Sequence, residues 1–190
     1  MSRRPALLLD RDGTVIRDAH YLRDPALVSL LPGAVEGLAR FQAAGWPLVI
    51  VTNQSGIARG LISEAEYDAV RREVERQLSA AGITLAASYH CPHHPGITGP
   101  CGCRKPGTLL YTQARDRLGL DLAASVFVGD RWRDIAAARA FGGRAILVPS
   151  ADTPQDERAR AAREELVAAD LSAMADLVLG AAGAGAASGR

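Results

Sequence analysis

The sequence predicts an α/β protein, a doubly wound parallel sheet with helices on both faces. Three observations carry that prediction: short unbroken apolar runs recur along the chain, helix-patterned segments separate them, and three of the runs end in a polar residue. An unbroken apolar run is what a strand covered on both faces requires. The first is Ala6-Leu-Leu-Leu-Asp10, followed by Pro47-Leu-Val-Ile-Val-Thr52 and Ser125-Val-Phe-Val-Gly-Asp130. Arg144-Ala-Ile-Leu-Val148 is a further strand with no polar group at its end. Open α/β sheets bind ligands beyond the carboxyl ends of their strands, so Asp10, Thr52 and Asp130 are expected to converge there.

Helical patterns fill the gaps. One runs over 34–44 and ends at Gly45, while Ser63-Glu-Ala-Glu66 reads as a capping box opening a helix to about residue 81, before Gly82. Others are expected over 107–118, 134–141 and 154–168. No gap between motifs holds an independent globular insert, so the sheet carries no large cap domain. Residues 1–179 form one expected domain, and the Gly/Ala-rich stretch 180–190 a disordered tail, since it has no large apolar residue to anchor it.

With 190 residues, 48% of them hydrophobic, the chain can bury one sizeable core. Twenty-two basic residues against 21 acidic ones leave a net charge of +1, so no global field recruits nucleic acid or an anionic membrane. No apolar run approaches the roughly 20 residues of a membrane span, and the N-terminus lacks a signal-peptide pattern. A cytoplasmic monomer is expected. Cys91, Cys101 and Cys103 fall in one short segment, the distribution of metal ligands rather than of a disulfide framework.

Asp10-Arg-Asp-Gly-Thr14 places two carboxylates two residues apart where a buried strand ends. Strand alternation points both toward one site and turns Arg11 away, and Gly13 permits a sharp bend. Val128-Gly-Asp-Arg-Trp-Arg-Asp134 adds Asp130, with Asp134 one helical turn further on. So many carboxylates repel one another without a cation, and hard oxygen donors beside a phosphate suit Mg²⁺. The loop Thr52-Asn-Gln-Ser-Gly-Ile-Ala-Arg-Gly60 offers a hydroxyl, amides and backbone N–H groups to phosphoryl oxygens. Cys103-Arg-Lys-Pro106 adds Arg104 as a bidentate grip and Lys105 as a point charge. Singly, each element also reads as a turn, a helix cap or a solvated surface pair.

Together they resemble the haloacid dehalogenase superfamily of phosphohydrolases over 7–148, most of the chain. The resemblance implies a Rossmann-like fold in which Asp10 is the nucleophile, Asp12 the general acid and base, and Thr52 and Lys105 hold the transferring phosphoryl group. It also implies Mg²⁺ held by the Asp10 and Asp130 carboxylates and the Asp12 carbonyl, with Asp134 behind them. Within the superfamily, 52–60, Cys91-Pro-His-His-Pro95 and Cys101-Gly-Cys-Arg-Lys-Pro106 resemble the heptose bisphosphate phosphatases of nucleotide-activated heptose and lipopolysaccharide biosynthesis. That resemblance implies hydrolysis of the C7 phosphate of D-glycero-D-manno-heptose 1,7-bisphosphate, with Asp18, Tyr21, Asn53, Gln54, Ser55, Arg59, Arg104 and Arg131 around the substrate. Arg131 stands where the family tends to have lysine.

Cys91, Cys101, Cys103 and a histidine form the ligand set of a closed structural Zn²⁺ site. Spacing leaves His93 and His94 open, and the resemblance selects His93. The loop between His93 and Cys101 is shorter than in the longer-loop heptose enzymes. Histidinol-phosphate phosphatases share the aspartates and a short zinc loop, and so stand as the alternative. Arg59 and Arg104 suit a second phosphate better than a cationic amine. A non-catalytic zinc module for nucleic acid is more remote, given the near-neutral charge and 5% aromatic content.

Overall fold

A computed structural model of the protein describes residues 3–164 and 166–180. Residues 181–190, most of the expected disordered tail, lie outside the described residues. Five parallel strands form one sheet: β1 (Leu7–Leu9), β2 (Leu48–Asn53), β3 (Ala87–Cys91), β4 (Val126–Gly129) and β5 (Arg144–Leu147), in the order β3-β2-β1-β4-β5. In register, Leu9 of β1 stands between Ile50 and Val128. Each crossover is helical, through α1 (Ala34–Ala43), α2 (Glu64–Ala80), the one-turn α3 (Pro95–Thr98) with α4 (Leu109–Leu118), and the short α5 (Trp132–Ile135) and α6 (Ala138–Phe141). The chain continues through α7 (Gln155–Arg163) and α8 (Leu171–Ala175).

Alternation along the strands divides the core into two layers. Leu7, Leu9, Ile50, Val126 and Val128 pack beneath α1, α2 and α8. Leu8, Val49, Val51 and Phe127 face the opposite way, toward Leu110, Tyr111 and Ala114 of α4. The sheet is thus covered on both faces, as its unbroken apolar runs demand. Strand order reverses between β1 and β4, which opens a crevice at their carboxyl ends.

Three expectations need correction. β3 was not expected as a strand: Ala-Ser-Tyr-His-Cys lies at the sheet edge, where half-exposure removes the apolar run that marks the inner strands. The single helix expected over 134–141 is two turns, and it starts at Trp132 because the Asp134 carboxylate accepts the Arg131 N–H at 3.1 Å. The helix expected over 154–168 ends at Arg163. Leu166 and Ala168 then exchange backbone hydrogen bonds with Leu147 at the free edge of β5. The capping box before α2 is present as expected, with Ser63 and Glu66 bonded reciprocally.

α8 packs on α1 at Gly37, where a Cβ would overlap the Leu171 carbonyl. Alanine is worth about 1 kcal/mol more than glycine inside a helix, whereas overpacking costs about 1–3 kcal/mol. Gly37→Ala is therefore expected to destabilise the protein on balance, lowering its midpoint in urea, against helix propensity.

Candidate active site

The crevice is built from the ends of the central strands. Asp10 and Asp130 follow the adjacent parallel strands β1 and β4, and Thr52 lies within β2, so three distant segments meet at one edge. Gly13 makes the close approach possible. Its φ is +79°, and a Cβ there would strike the Asp130 carboxylate.

At the floor lies a buried ionic knot. The Lys105 ammonium donates to Asp10 Oδ1 at 2.6 Å and to the Val51 carbonyl at 2.7 Å, and stands 2.8 Å from Asp134 Oδ1. Lys105 is 2% exposed, so its charge is spent within the protein rather than on solvent. Asn53 fixes it from behind, accepting the Lys105 N–H at 3.0 Å and donating to its carbonyl at 3.2 Å. Ser150 Oγ donates to Asp130 Oδ2 at 2.6 Å, and Thr153 Oγ1 to the Asp130 carbonyl at 2.7 Å. The Tyr111 hydroxyl donates to the Asp134 carbonyl.

Asp12 stands apart from this knot. Its carboxylate receives Arg11 Nε at 3.0 Å, Arg11 Nη2 at 2.9 Å and Gln54 Nε2 at 2.7 Å. Arg11 does point away from the crevice, as strand alternation predicts, but its side chain turns back beneath the loop to reach its neighbour. Gln54 also donates to Thr52 Oγ1 at 3.0 Å.

Above the floor is a cleft of about 440 Å³ whose lining includes Asp18, Tyr21, Asn53, Gln54, Ser55, Arg59, Arg104 and Arg131. The structure thus gathers all the expected substrate-contact positions around one opening, together with His20, Leu22 and Arg133, which the sequence did not single out. His20 and Tyr21 both adopt left-handed backbone, and the Tyr21 ring lies over Gly56. Arg59 pairs with His94 Nε2 at 2.7 Å, and Arg104 donates to the His93 carbonyl at 3.3 Å. The cleft therefore has an acidic floor and a basic rim, suited to an anion that arrives with a cation.

Among the described residues three groups offer ligand atoms close enough for a metal; Asp18, His20 and Asp152 are the most exposed of them, and the other two are built into the fold. Asp10, Asp130 and Asp134 offer carboxylate oxygens within 4.8 Å of one another, all buried. Lys105 is the one buried cation among these three carboxylates, with Arg131 3.6 Å from Asp130 and Arg133 3.9 Å from Asp134 at the more exposed side, and the all-oxygen donor set suits a hard divalent ion. In the second cluster, Cys91 Sγ lies 3.0 Å from Cys103 Sγ and 3.7 Å from Cys101 Sγ, with His93 Nδ1 3.1 Å from Cys103 Sγ. Donors about 2.0–2.3 Å from a tetrahedral ion sit at roughly such separations, and three sulfurs with one imidazole suit zinc. His93 completes the set, while His94 caps α3 and faces Arg59.

Ser150 was missed because the β5 run seemed to deliver no polar residue; it lies two positions past the apolar stretch and reaches back. The Arg11 and Gln54 contacts to Asp12 carry no spacing signal at all, since they depend on how the loop folds.

A parallel sheet that gathers an Asp-x-Asp pair, a threonine, a buried lysine and a second acidic pair at its central carboxyl edge defines a hydrolase of the haloacid dehalogenase type. The HAD-hydrolase-like family profile matches residues 102–174. The D-glycero-β-D-manno-heptose-1,7-bisphosphate 7-phosphatase of Escherichia coli O6:H1 is 38% identical over 163 residues, covering 82% of this chain and 86% of the relative. Its counterpart in Vibrio cholerae is 41% identical over 151 residues, covering 76% and 81%. The crystal structure of D,D-heptose 1,7-bisphosphate phosphatase from B. bronchiseptica, complexed with magnesium and phosphate, matches with a TM-score of 0.79 at 35% identity, covering 92% of this chain and 98% of that one. The chain belongs to the heptose-1,7-bisphosphate 7-phosphatase family.

Burial, reinforced by Asp134 and Asp12 and opposed by Lys105, pushes the Asp10 carboxyl up to about 7. Burial likewise lifts Asp130 to about 6, against its bond from Ser150. Without metal the folded protein holds protons on these groups that the unfolded chain releases near pH 4. Their contribution to stability is complete below that pH and is lost as pH rises through about 7. The metal-free melting temperature is therefore expected to fall across this window. Asp10→Asn should flatten the fall, and Mg²⁺ should raise the melting temperature more at pH 7.5 than at pH 5. An equal magnesium effect at both pH values would contradict the assigned cation site.

Proposed function

We propose that this protein is a magnesium-dependent phosphatase that removes the C7 phosphate of D-glycero-D-manno-heptose 1,7-bisphosphate through an aspartyl-phosphate on Asp10. The observation that carries this reading is the separation of two kinds of carboxylate. Asp10 sits in the ionic knot with Lys105, Asp130 and Asp134, while Asp12 is held outside it by Arg11 and Gln54. A nucleophile and a proton carrier need those two environments.

The Asp10 oxygen attacks phosphorus, and the bond to the sugar oxygen breaks as Asp12 gives that oxygen a proton. Asp12 then takes a proton from water, which attacks the acyl phosphate and releases inorganic phosphate with Asp10 restored. Thr52 and Lys105 stabilise the phosphoryl oxygens, and the Lys105 contact requires it to share a donor now used by its protein partners. Mg²⁺, held by the Asp10 and Asp130 carboxylates and the Asp12 carbonyl with Asp134 beside them, supplies charge neutralisation at the phosphoryl group. Cys91, His93, Cys101 and Cys103 would hold a structural Zn²⁺, whose binding would order the segment that delivers Arg104 and Lys105.

The rim arginines support a substrate with a second phosphate and oppose the cationic amine of histidinol phosphate. The names of the relatives support the same choice. We place the reaction in nucleotide-activated heptose biosynthesis, upstream of lipopolysaccharide, in the cytoplasm. The three cysteines are free, as a reducing compartment would keep them, and among the described residues no helix is long and apolar enough to cross a membrane.

Asp10→Asn should lower phosphate release at least about 10⁴-fold while leaving the fold intact, because no other group can form the acyl phosphate. Appreciable residual turnover would remove Asp10 from its role. The kcat/KM for heptose bisphosphate should exceed that for histidinol phosphate by at least about 100-fold, the scale of one or two charge-assisted contacts. The reverse ranking would favour the histidinol reading. Removing zinc with magnesium in excess should raise KM and lower the melting temperature together.

A further inference from the structure

The residue between the two loop aspartates has no place in the mechanism above, yet it is among the largest fully buried side chains of the molecule. Arg11 is 2% exposed and does not line the cleft. Its guanidinium lies 5.4 Å from the centre of the Tyr67 ring, a cation–π contact, and Tyr67 is itself anchored on α2 with its ring 4.1 Å from that of His90. From this support Nε and Nη2 project as a fork onto the two oxygens of Asp12, at 3.0 and 2.9 Å. Gln54 closes the other side at 2.7 Å. Rotation of the Asp12 carboxylate would break all three bonds.

Stability alone does not account for this arrangement. Arg11 Nη1 is buried with no hydrogen-bond partner among the described residues, which costs folding free energy. Ile50, Val74 and Leu85 line the small space beside it together with Arg71, Glu75 and Ser88. Buried ion pairs are often replaced by apolar residues at no loss of stability. Nor does Asp12 need the pair in order to fold, since its side chain is 21% exposed and keeps contact with water.

We propose that Arg11 is a positioning residue, a fork anchored on α2 through Tyr67 that fixes the Asp12 carboxylate where it can hand a proton to the leaving oxygen. This rests on the reading of Asp12 as acid and base. The guanidinium itself stays outside the lining of the cleft. A lysine in its place would keep the charge but lose the planar fork, and with it the orientation.

The test is a leaving-group comparison. An alkyl sugar oxygen must be protonated to leave, whereas p-nitrophenolate departs without a proton. The kcat/KM reports only the steps up to that departure, so later hydrolysis of the acyl phosphate does not mask the effect. For Arg11→Met we expect kcat/KM on heptose bisphosphate to fall about 10–100-fold, part of the 10²–10⁴-fold worth of general acid catalysis, with less than about a 3-fold fall on p-nitrophenyl phosphate. Arg11→Lys should lie between wild type and Arg11→Met, and it decides the matter if the methionine variant does not fold. A parallel loss on both substrates, or no loss on either, would overturn the proposal. Asp12→Asn separates the layers: a bias there without one in the Arg11 variants sinks Arg11 alone, and no bias in Asp12→Asn sinks the acid–base reading and the proposal with it. Should wild type cleave p-nitrophenyl phosphate but not heptose bisphosphate, the substrate reading fails, and ethyl phosphate becomes the alkyl arm of the same comparison.

Discussion

The contact on which the rest depends is the Lys105 ammonium, buried between Asp10 and Asp134 and bonded to the Val51 carbonyl. Removing charges from water is costly, and a cluster of carboxylates under a protein surface survives only with opposite charge among them. One ammonium does not complete that neutralisation. The floor of the cleft is therefore a candidate cation site, and burial, reinforced by the neighbouring carboxylates, lifts the Asp10 carboxyl far above its usual range. A divalent cation at that floor would relieve the repulsion among the carboxylates.

That knot draws on every layer of the fold. Asp10 follows β1, Val51 lies in β2, Asp134 in α5, and Lys105 in the loop between α3 and α4. Four segments distant in sequence are held to within hydrogen-bonding distance because the sheet is parallel and its strands end at one edge. Each segment also meets an ordinary structural need. Asp134 caps α5 as well as pairing with Lys105, and Asn53 ends β2 while holding the lysine backbone. A helix-capping role and a place in the site are not alternatives for Asp134; one carboxylate serves both.

Much of this was legible in the sequence because the inner strands are apolar on both faces and announce their own ends. Asp10, Thr52 and Asp130 could be placed at one edge from that pattern alone. The signal faded where burial became one-sided. β3, at the sheet edge, has a mixed composition that hid it, and Cys91 at its end joins the Cys/His cluster only in space. Side chains that bond within a folded loop, such as Ser150 to Asp130 or Arg11 to Asp12, leave no periodicity to read. The chain chemistry was written in strand ends, and the support for it in loop geometry.

The Cys/His segment is tied at both of its ends. Cys91 closes a strand of the sheet, and Cys103 stands two residues before Lys105, whose backbone Asn53 grips. Between these fixed points, residues 94–100 form a short span that reaches the cleft mouth through the His94 contact to Arg59. Insertions or deletions in that span can reshape the mouth without shifting the ammonium beneath it. The mouth of the cleft and the ammonium beneath it thus hang on different parts of one segment.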